Sequence, residues 1–207
     1  MSASLAAGPA ALYLIGMKQT RADGGHLAGM LLVAMPAMPD PRFARSVIYL
    51  CAHSPEGAMG LVVNQVIDSV TFPHVVDQLG IEGPVQDEDM PVHLGGPVES
   101  NRGFVLHTSD SVQESTLVID ETFALTATVD VLRAIAHGHG PKRRVLALGY
   151  AGWGPGQLDL EVQANGWLMV PADADLVFGR DNETKWHQAL SKIGVNPSLL
   201  STAAGHA

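Results

Sequence analysis

Cysteine is nearly absent from this chain of 207 residues: Cys51 stands alone. One thiol excludes an intrachain disulfide and any zinc site built from several thiolates, and it suits a reducing cytoplasm. Positive charge is scarce as well. Twelve Lys and Arg against 21 Asp and Glu leave a net charge of −9, the wrong sign for a module that holds nucleic acid by neutralising phosphates. Long apolar runs are missing too. The uncharged stretch Leu27–Pro39 is broken by Pro36 and Pro39 and falls short of the ~20 residues that span a bilayer, so no membrane association is expected. Residues 1–26 lack a basic n-region, since Lys18 follows the apolar Leu12–Met17 rather than preceding it. They read as an N-terminal extension to one domain over 27–207. Charged residues make up only 16% of the chain and hydrophobic ones 46%, enough to bury a core and to exclude global disorder.

What is present alternates strand-like and helical runs. Gly29–Ala34 is continuously apolar, as a strand buried on both faces would be. Asp40 precedes Pro41 and can cap a helical turn. Ser46–His53 and Ala58–Gln65 flank Ser54-Pro55-Glu56-Gly57, a hairpin signal. Closing that turn at residues 54 and 57 sets Asn64 opposite Val47, to within one residue. Further strands are expected at Val92–Leu94, Gly103–Leu106, Thr116–Ile119, Arg143–Tyr150 and Trp167–Val170. Helices are expected at Thr71–Leu79, from Thr128 to Gly138, at Gly156–Asn165 and at Glu183–Ile193. The elements mix without a regular βαβ beat, which predicts an α+β domain.

Three constellations could carry chemistry. Along the Ser46–His53 strand, alternation puts Arg45, Val47, Tyr49, Cys51 and His53 on one face, with Ser46 and Asn64 beside it. A cysteine near a cation or a histidine can become a nucleophile; the competing reading is a buried, inert thiol. The second is Gly95-Gly96-Pro97 with Arg102 downstream. Its glycines could aim backbone amides at an anion and Arg102 could supply a donor fork, or the segment is a tight turn with Arg102 in an ion pair. The third is Ala151–Gln157 leading into a helix on which Gln157, Glu161 and Asn165 form a polar line. Glu161 is a candidate base, or simply one residue of a wet helix face. His137 and His139 form an H-x-H, but Lys142, Arg143 and Arg144 follow and would repel a cation, so no metal site is expected. That basic run reads as a solvated lead into a strand.

Taken together, several segments resemble the YqgE/AlgH family of bacterial proteins. They are Leu32–Pro36, Asp40–Cys51, Gly57–Asn64, Gly95–Val98, Arg102–His107 and Ala147–Leu158, with the tail from Trp167 to the C-terminal Gly205-His-Ala. The resemblance spans about Leu27 to Ala207. It implies a compact α+β fold in which a small barrel-like, branching sheet is surrounded by helices, and a family without an established activity, some of whose members carry the label of transcriptional regulator. Two positions depart from the family pattern. Gln65-Val66 stands where Arg-Pro is expected, and Asn101 where Asp is expected before Arg102; each weakens a catalytic scheme resting on those groups.

The expected role is therefore that of a cytoplasmic regulatory protein that binds a small anionic ligand or a protein partner, with no cofactor. Its expected ligand-binding residues are Arg45, Ser46, Asn64, Gly95, Gly96 and Arg102. The alternative is a thiol-dependent enzyme using Cys51 with His53, and direct nucleic-acid binding is the least favoured reading.

Overall fold

The computed structural model describes residues 27–196 and Leu200, so the expected N-terminal extension lies outside the described residues. Among the described residues, ten strands and five α-helices follow one another. The strands are β1 (Met30–Ala34), β2 (Val47–Ser54), β3 (Gly57–Val62), β4 (Val66–Thr71), β5 (Pro91–Leu94), β6 (Val98–Thr108), β7 (Leu117–Val118), β8 (Phe123–Thr126), β9 (Arg144–Trp153) and β10 (Trp167–Pro171). The helices are α1 (Phe72–Gln78), α2 (Val129–Ala136), α3 (Gln157–Gln163), α4 (Ala174–Phe178) and α5 (Lys185–Lys192).

The main path of the sheet runs β10-β1-β2-β3-β9-β6-β8-β7, and β5, with β4 beside it, attaches to β9 as a branch. Pairing is antiparallel except between β5 and β9. The sheet curls into a half-barrel, giving the α+β domain that the sequence pattern and the resemblance both predict.

The branch has a local cause. Gly149 interrupts β9 with a φ of +72°, a conformation that costs glycine little. Before it, Leu146–Leu148 pair with β5; after it, Ala151–Trp153 pair with β3. One strand thus changes partner at a single kinked residue. Gly95 and Gly96 serve the same junction, because a Cβ at either would stand 2.2 and 2.1 Å from the β9 backbone at Gly149 and Tyr150.

Three apolar clusters fill the two faces. Inside the curl, Tyr49, Leu61, Phe104 and Phe123 pack under Leu176 and Val177 of α4 and Trp186 and Leu190 of α5. Outside, α1 and α2 cover Val92, Val105 and Leu146, while Leu158 of α3 covers Ile48, Leu50, Trp153 and Trp167. The cap expected at Asp40 is present, whereas Thr128 at the start of α2 makes no capping hydrogen bond through its side chain. Asp40 accepts the Arg42 amide at 3.0 Å, and Thr71 caps α1 through the His74 amide at 3.4 Å. Four elements escape the periodicity reading: β4, β8 and α4 go unpredicted, and β6 begins five residues earlier than expected. β4 and α4 are short, and β4 is mostly exposed, so local pattern carries little signal for them. Among the described residues no helix is long and apolar enough to cross a membrane.

Candidate functional site

The face-sharing expected of Cys51 and His53 is overturned by a β-bulge. Pairing runs Ser54↔Gly57, His53↔Ala58 and Ala52↔Met59, then shifts, so that Leu50 meets Gly60 and Tyr49 meets Leu61. Cys51 is the extra residue. It joins Tyr49 and Met59 in the interior cluster, whereas His53 pairs with Ala58, whose face is covered by α3. There the His53 ring lies 3.6 Å from Asp159. Cys51 is 2% exposed, its Sγ lies 3.7 Å from the Tyr49 carbonyl, and burial pushes its thiol pKa up. A thiol held protonated in an apolar interior lacks the accessible, electropositive setting of a nucleophile. Nothing in the structure supports the thiol enzyme.

The same bulge sets the neighbourhood of Asn64. Its Oδ1 accepts the Val47 amide at 2.8 Å and its Nδ2 donates to the Arg45 carbonyl at 2.9 Å. Gln65 donates to Ser46 Oγ at 2.9 Å, and Ser46 is fully buried. Arg45 adopts φ +54° and lays its guanidinium over Trp186 at 5.7 Å. Gly95 joins this group: its carbonyl accepts the Val62 amide, and its own amide donates to Leu148 at 2.8 Å. Arg45, Ser46, Asn64 and Gly95 are thus brought together, largely through bonds among themselves and the strands.

Arg102 is engaged elsewhere. It pairs with Glu99 at 3.2 Å and stands over Phe104 at 5.4 Å, while its Nε is buried without a hydrogen-bond partner. Glu161 is committed as well: Oε2 accepts the indole N–H groups of Trp153 and Trp167 at 2.9 and 2.8 Å, and Oε1 accepts from Gln157 at 2.8 Å. This carboxylate pins α3 to β9 and β10. His137 Nε2 lies 3.0 Å from the Glu82 carbonyl, and among the described residues no three His, Cys, Asp or Glu side chains gather as a metal site.

A cleft of about 160 Å³ opens where the parallel strands β5 and β9 begin, between the 82–90 loop and the turn after α4. Asp87, His93, Lys142, Arg143, Arg144 and Arg180 line it. Four of the chain's twelve Lys and Arg therefore face one small space. Arg143 reaches Asp175 at 2.7 Å and lies over Phe178 at 5.5 Å. Arg144 donates to the Pro141 carbonyl and to Asp87, both at 2.6 Å, and Arg180 approaches Asp87 at 3.4 Å. His93, 2% exposed, holds Nε2 3.2 Å from Asn182 Oδ1. Burial lowers its pKa, and the nearby Lys185 ammonium adds to that, so the imidazole is neutral at pH 7. Lys185 itself is buried, donates to the Val63 and Val177 carbonyls at 2.7 and 2.9 Å, and has its pKa lowered by burial to about 8.

Sequence reasoning missed this cleft. The Lys142–Arg144 run was its one local signal, and read alone it is a solvated lead into β9. Asp87 and Arg180 join it only through folding.

Fold and cleft together define an α+β protein built on one branched, curled sheet. A family model described as AlgH-like matches residues 31–198, and the chain belongs to that AlgH-like family. A UPF0301 protein of Rhodopseudomonas palustris is 59% identical over 190 residues, covering 88% of this chain and 89% of the relative. One from Bradyrhizobium diazoefficiens is 57% identical over 193 residues, covering 89% and 90%. The solution structure of the AlgH protein from Pseudomonas aeruginosa superposes with a TM-score of 0.73 at 41% identity, covering 90% of this chain and 99% of that one. A crystal structure from Corynebacterium diphtheriae, at 23% identity and a TM-score of 0.69, shares the fold.

Proposed function

We propose that this AlgH-like protein is a cytoplasmic regulatory binding protein whose signal is a small anion held in the cleft between the 82–90 loop and the turn after α4. One observation carries the reading: a chain of net charge −9 gathers Lys142, Arg143, Arg144 and Arg180 around about 160 Å³. Guanidinium groups offer paired donors that fit phosphate and carboxylate oxygens. The cleft is below the ~300 Å³ of ordinary ligand pockets, so it suits a small oxyanion or the anionic end of a larger molecule. Where the regulation touches transcription, the charge balance favours action through a protein partner over direct contact with DNA.

A second reading keeps the anion at Arg102, beside Glu99 and Phe104. The buried, unpartnered Nε of Arg102 is what supports it.

Thermal shift with inorganic phosphate, sulfate, citrate and a DNA duplex, at fixed ionic strength, tests both. A ligand at ~100 times its Kd adds ~2.7 kcal/mol to stability, an easily measured rise in Tm. The cleft reading expects a phosphate response that Arg180→Gln removes and Arg102→Ala leaves; the reverse pattern selects Arg102. A panel flat in every arm removes the small-anion role and leaves a protein partner.

A further inference from the structure

Asp87 is the one acid lining the cationic cleft, and its backbone is unusual. Its φ is +57°, the left-handed region that few residues other than glycine, asparagine and aspartate enter. The side chain so placed spans two arginines: Oδ2 accepts from Arg144 at 2.6 Å and Oδ1 approaches Arg180 at 3.4 Å. A carboxylate bridging two guanidinium groups occupies the position that a bound oxyanion would take. It remains 27% exposed, within reach of solutes. It also leaves donors unused, since Arg144 Nε is buried without a partner. A carboxylate brings two acceptor oxygens to such a site, whereas a phosphate group brings more oxygens and a second negative charge.

The rest of the loop is tethered on both sides of Asp87. The Gln86 amide donates to the Ala136 carbonyl at 2.7 Å, and the Met90 amide donates to the carbonyl of Asp87 itself at 2.9 Å. Met90 is buried under α1 and α2. A shift of Asp87 therefore bears directly on the Met90 amide and on a loop fixed to the end of α2.

We infer that Asp87 is a built-in occupant of the cleft, and that a phosphate-type dianion entering between Arg144 and Arg180 expels its carboxylate and releases the segment from Asp87 to Met90. This rests on the cleft reading proposed above and adds to it the ligand class and the response. The resident monoanion sets a threshold: small carboxylates compete with it poorly, while a phosphate or phosphomonoester displaces it.

Isothermal titration of inorganic phosphate and of acetate at fixed ionic strength, into wild type, Asp87→Asn and Arg180→Gln, tests the inference. Asparagine tolerates the left-handed backbone, so Asp87→Asn removes the charge and keeps the loop; Asp87→Gly is the second variant should Asp87→Asn fail to fold. Expected are phosphate binding at least ~10-fold tighter in Asp87→Asn than in wild type, a loss of ~10-fold or more in Arg180→Gln, and acetate that binds Asp87→Asn but not wild type. Hydrogen exchange in wild type should show the Met90 amide exchanging faster with phosphate bound than without it. If wild type binds phosphate in an Arg180-dependent way but Asp87→Asn binds no tighter, Asp87 is framework and the inference is overturned while the cleft reading stands. Failure of both Asp87 variants to fold carries the same meaning. If neither wild type nor Asp87→Asn binds phosphate, the cleft reading itself falls.

Discussion

Two arginine-bearing regions of this molecule look alike in sequence and differ in what they can offer a ligand. Around Asn64, Arg45 stacks on Trp186, Ser46 is buried, and the Gly95 amide donates to Leu148. Those donors are spent on holding β2, β3 and β9 together. Around the cleft, Lys142, Arg143, Arg144 and Arg180 line a solvent-reached space with a single lining carboxylate. Polar residues gathered at a strand junction stabilise the fold. Cations that outnumber the acids paired with them, as these four outnumber Asp87 and Asp175, mark a candidate site.

That contrast can be broken most forcefully at the junction. Gly96→Ala places a Cβ 2.1 Å from the Tyr150 backbone at a φ of +153°, and nothing rigid there can yield. A loss on the order of 4 kcal/mol or more is expected, read by chemical denaturation; an alanine variant as stable as wild type would show the glycine pair is not needed for packing. Lys185→Ala comes next. It orphans the carbonyls of Val63 and Val177, and a buried acceptor left unpaired costs ~1–3 kcal/mol. Asn64→Ala removes an acceptor for Val47 and a donor to Arg45 and should cost ~2 kcal/mol while leaving anion binding intact, which separates the two regions directly.

The pH dependence of stability sharpens the same point. Lys185 titrates near 8 when folded and near 10.5 when unfolded, so across that window the unfolded chain binds more protons and stability from this group rises with pH. Lys185→Met should flatten that slope. The buried His93 and His107 have folded pKa values pushed below the ordinary 6.5. Their contribution is complete above pH 6.5 and is lost as the pH falls through the lowered folded values, which predicts acid-side destabilisation measurable by Tm at pH 5 against pH 7. The smallest expected effect on stability is at the cleft rim. Arg180→Gln removes a side chain that is 71% exposed, so its ion pair contributes little and the Tm should move by about a degree or less, yet phosphate affinity should fall.

Much of the fold was legible from local chemistry. The hairpin turn at Ser54–Gly57, the cap at Asp40 and the helices α2 and α5 rest on interactions within a few residues, where backbone preference and periodicity are informative. Ile193, the last residue of the helix expected at Glu183–Ile193, lies past the end of α5 and is 37% exposed, because Lys192 closes the last turn. At the candidate sites legibility ended at the bulge. A strict two-residue alternation carries His53 to the side of Cys51, and one extra residue in β2 reverses it. Nothing near residue 51 announces that insertion; it is set by how β2 must meet β3 at Gly60.

By itself the sequence determined an acidic, single-cysteine α+β protein with a real core, since charge balance, thiol count and apolar periodicity are additive properties of residues. Its motifs also carried the family resemblance. Only the tertiary structure decided which polar groups are spent and which are free. The kink at Gly149 routes β9 between two partners, the bulge at Cys51 turns His53 to the face opposite the thiol, and folding brings Asp87 and Arg180, 93 residues apart, to Lys142–Arg144. Each outcome depends on long-range backbone pairing, in which one residue of register moves a side chain from the interior to the opposite face of the sheet.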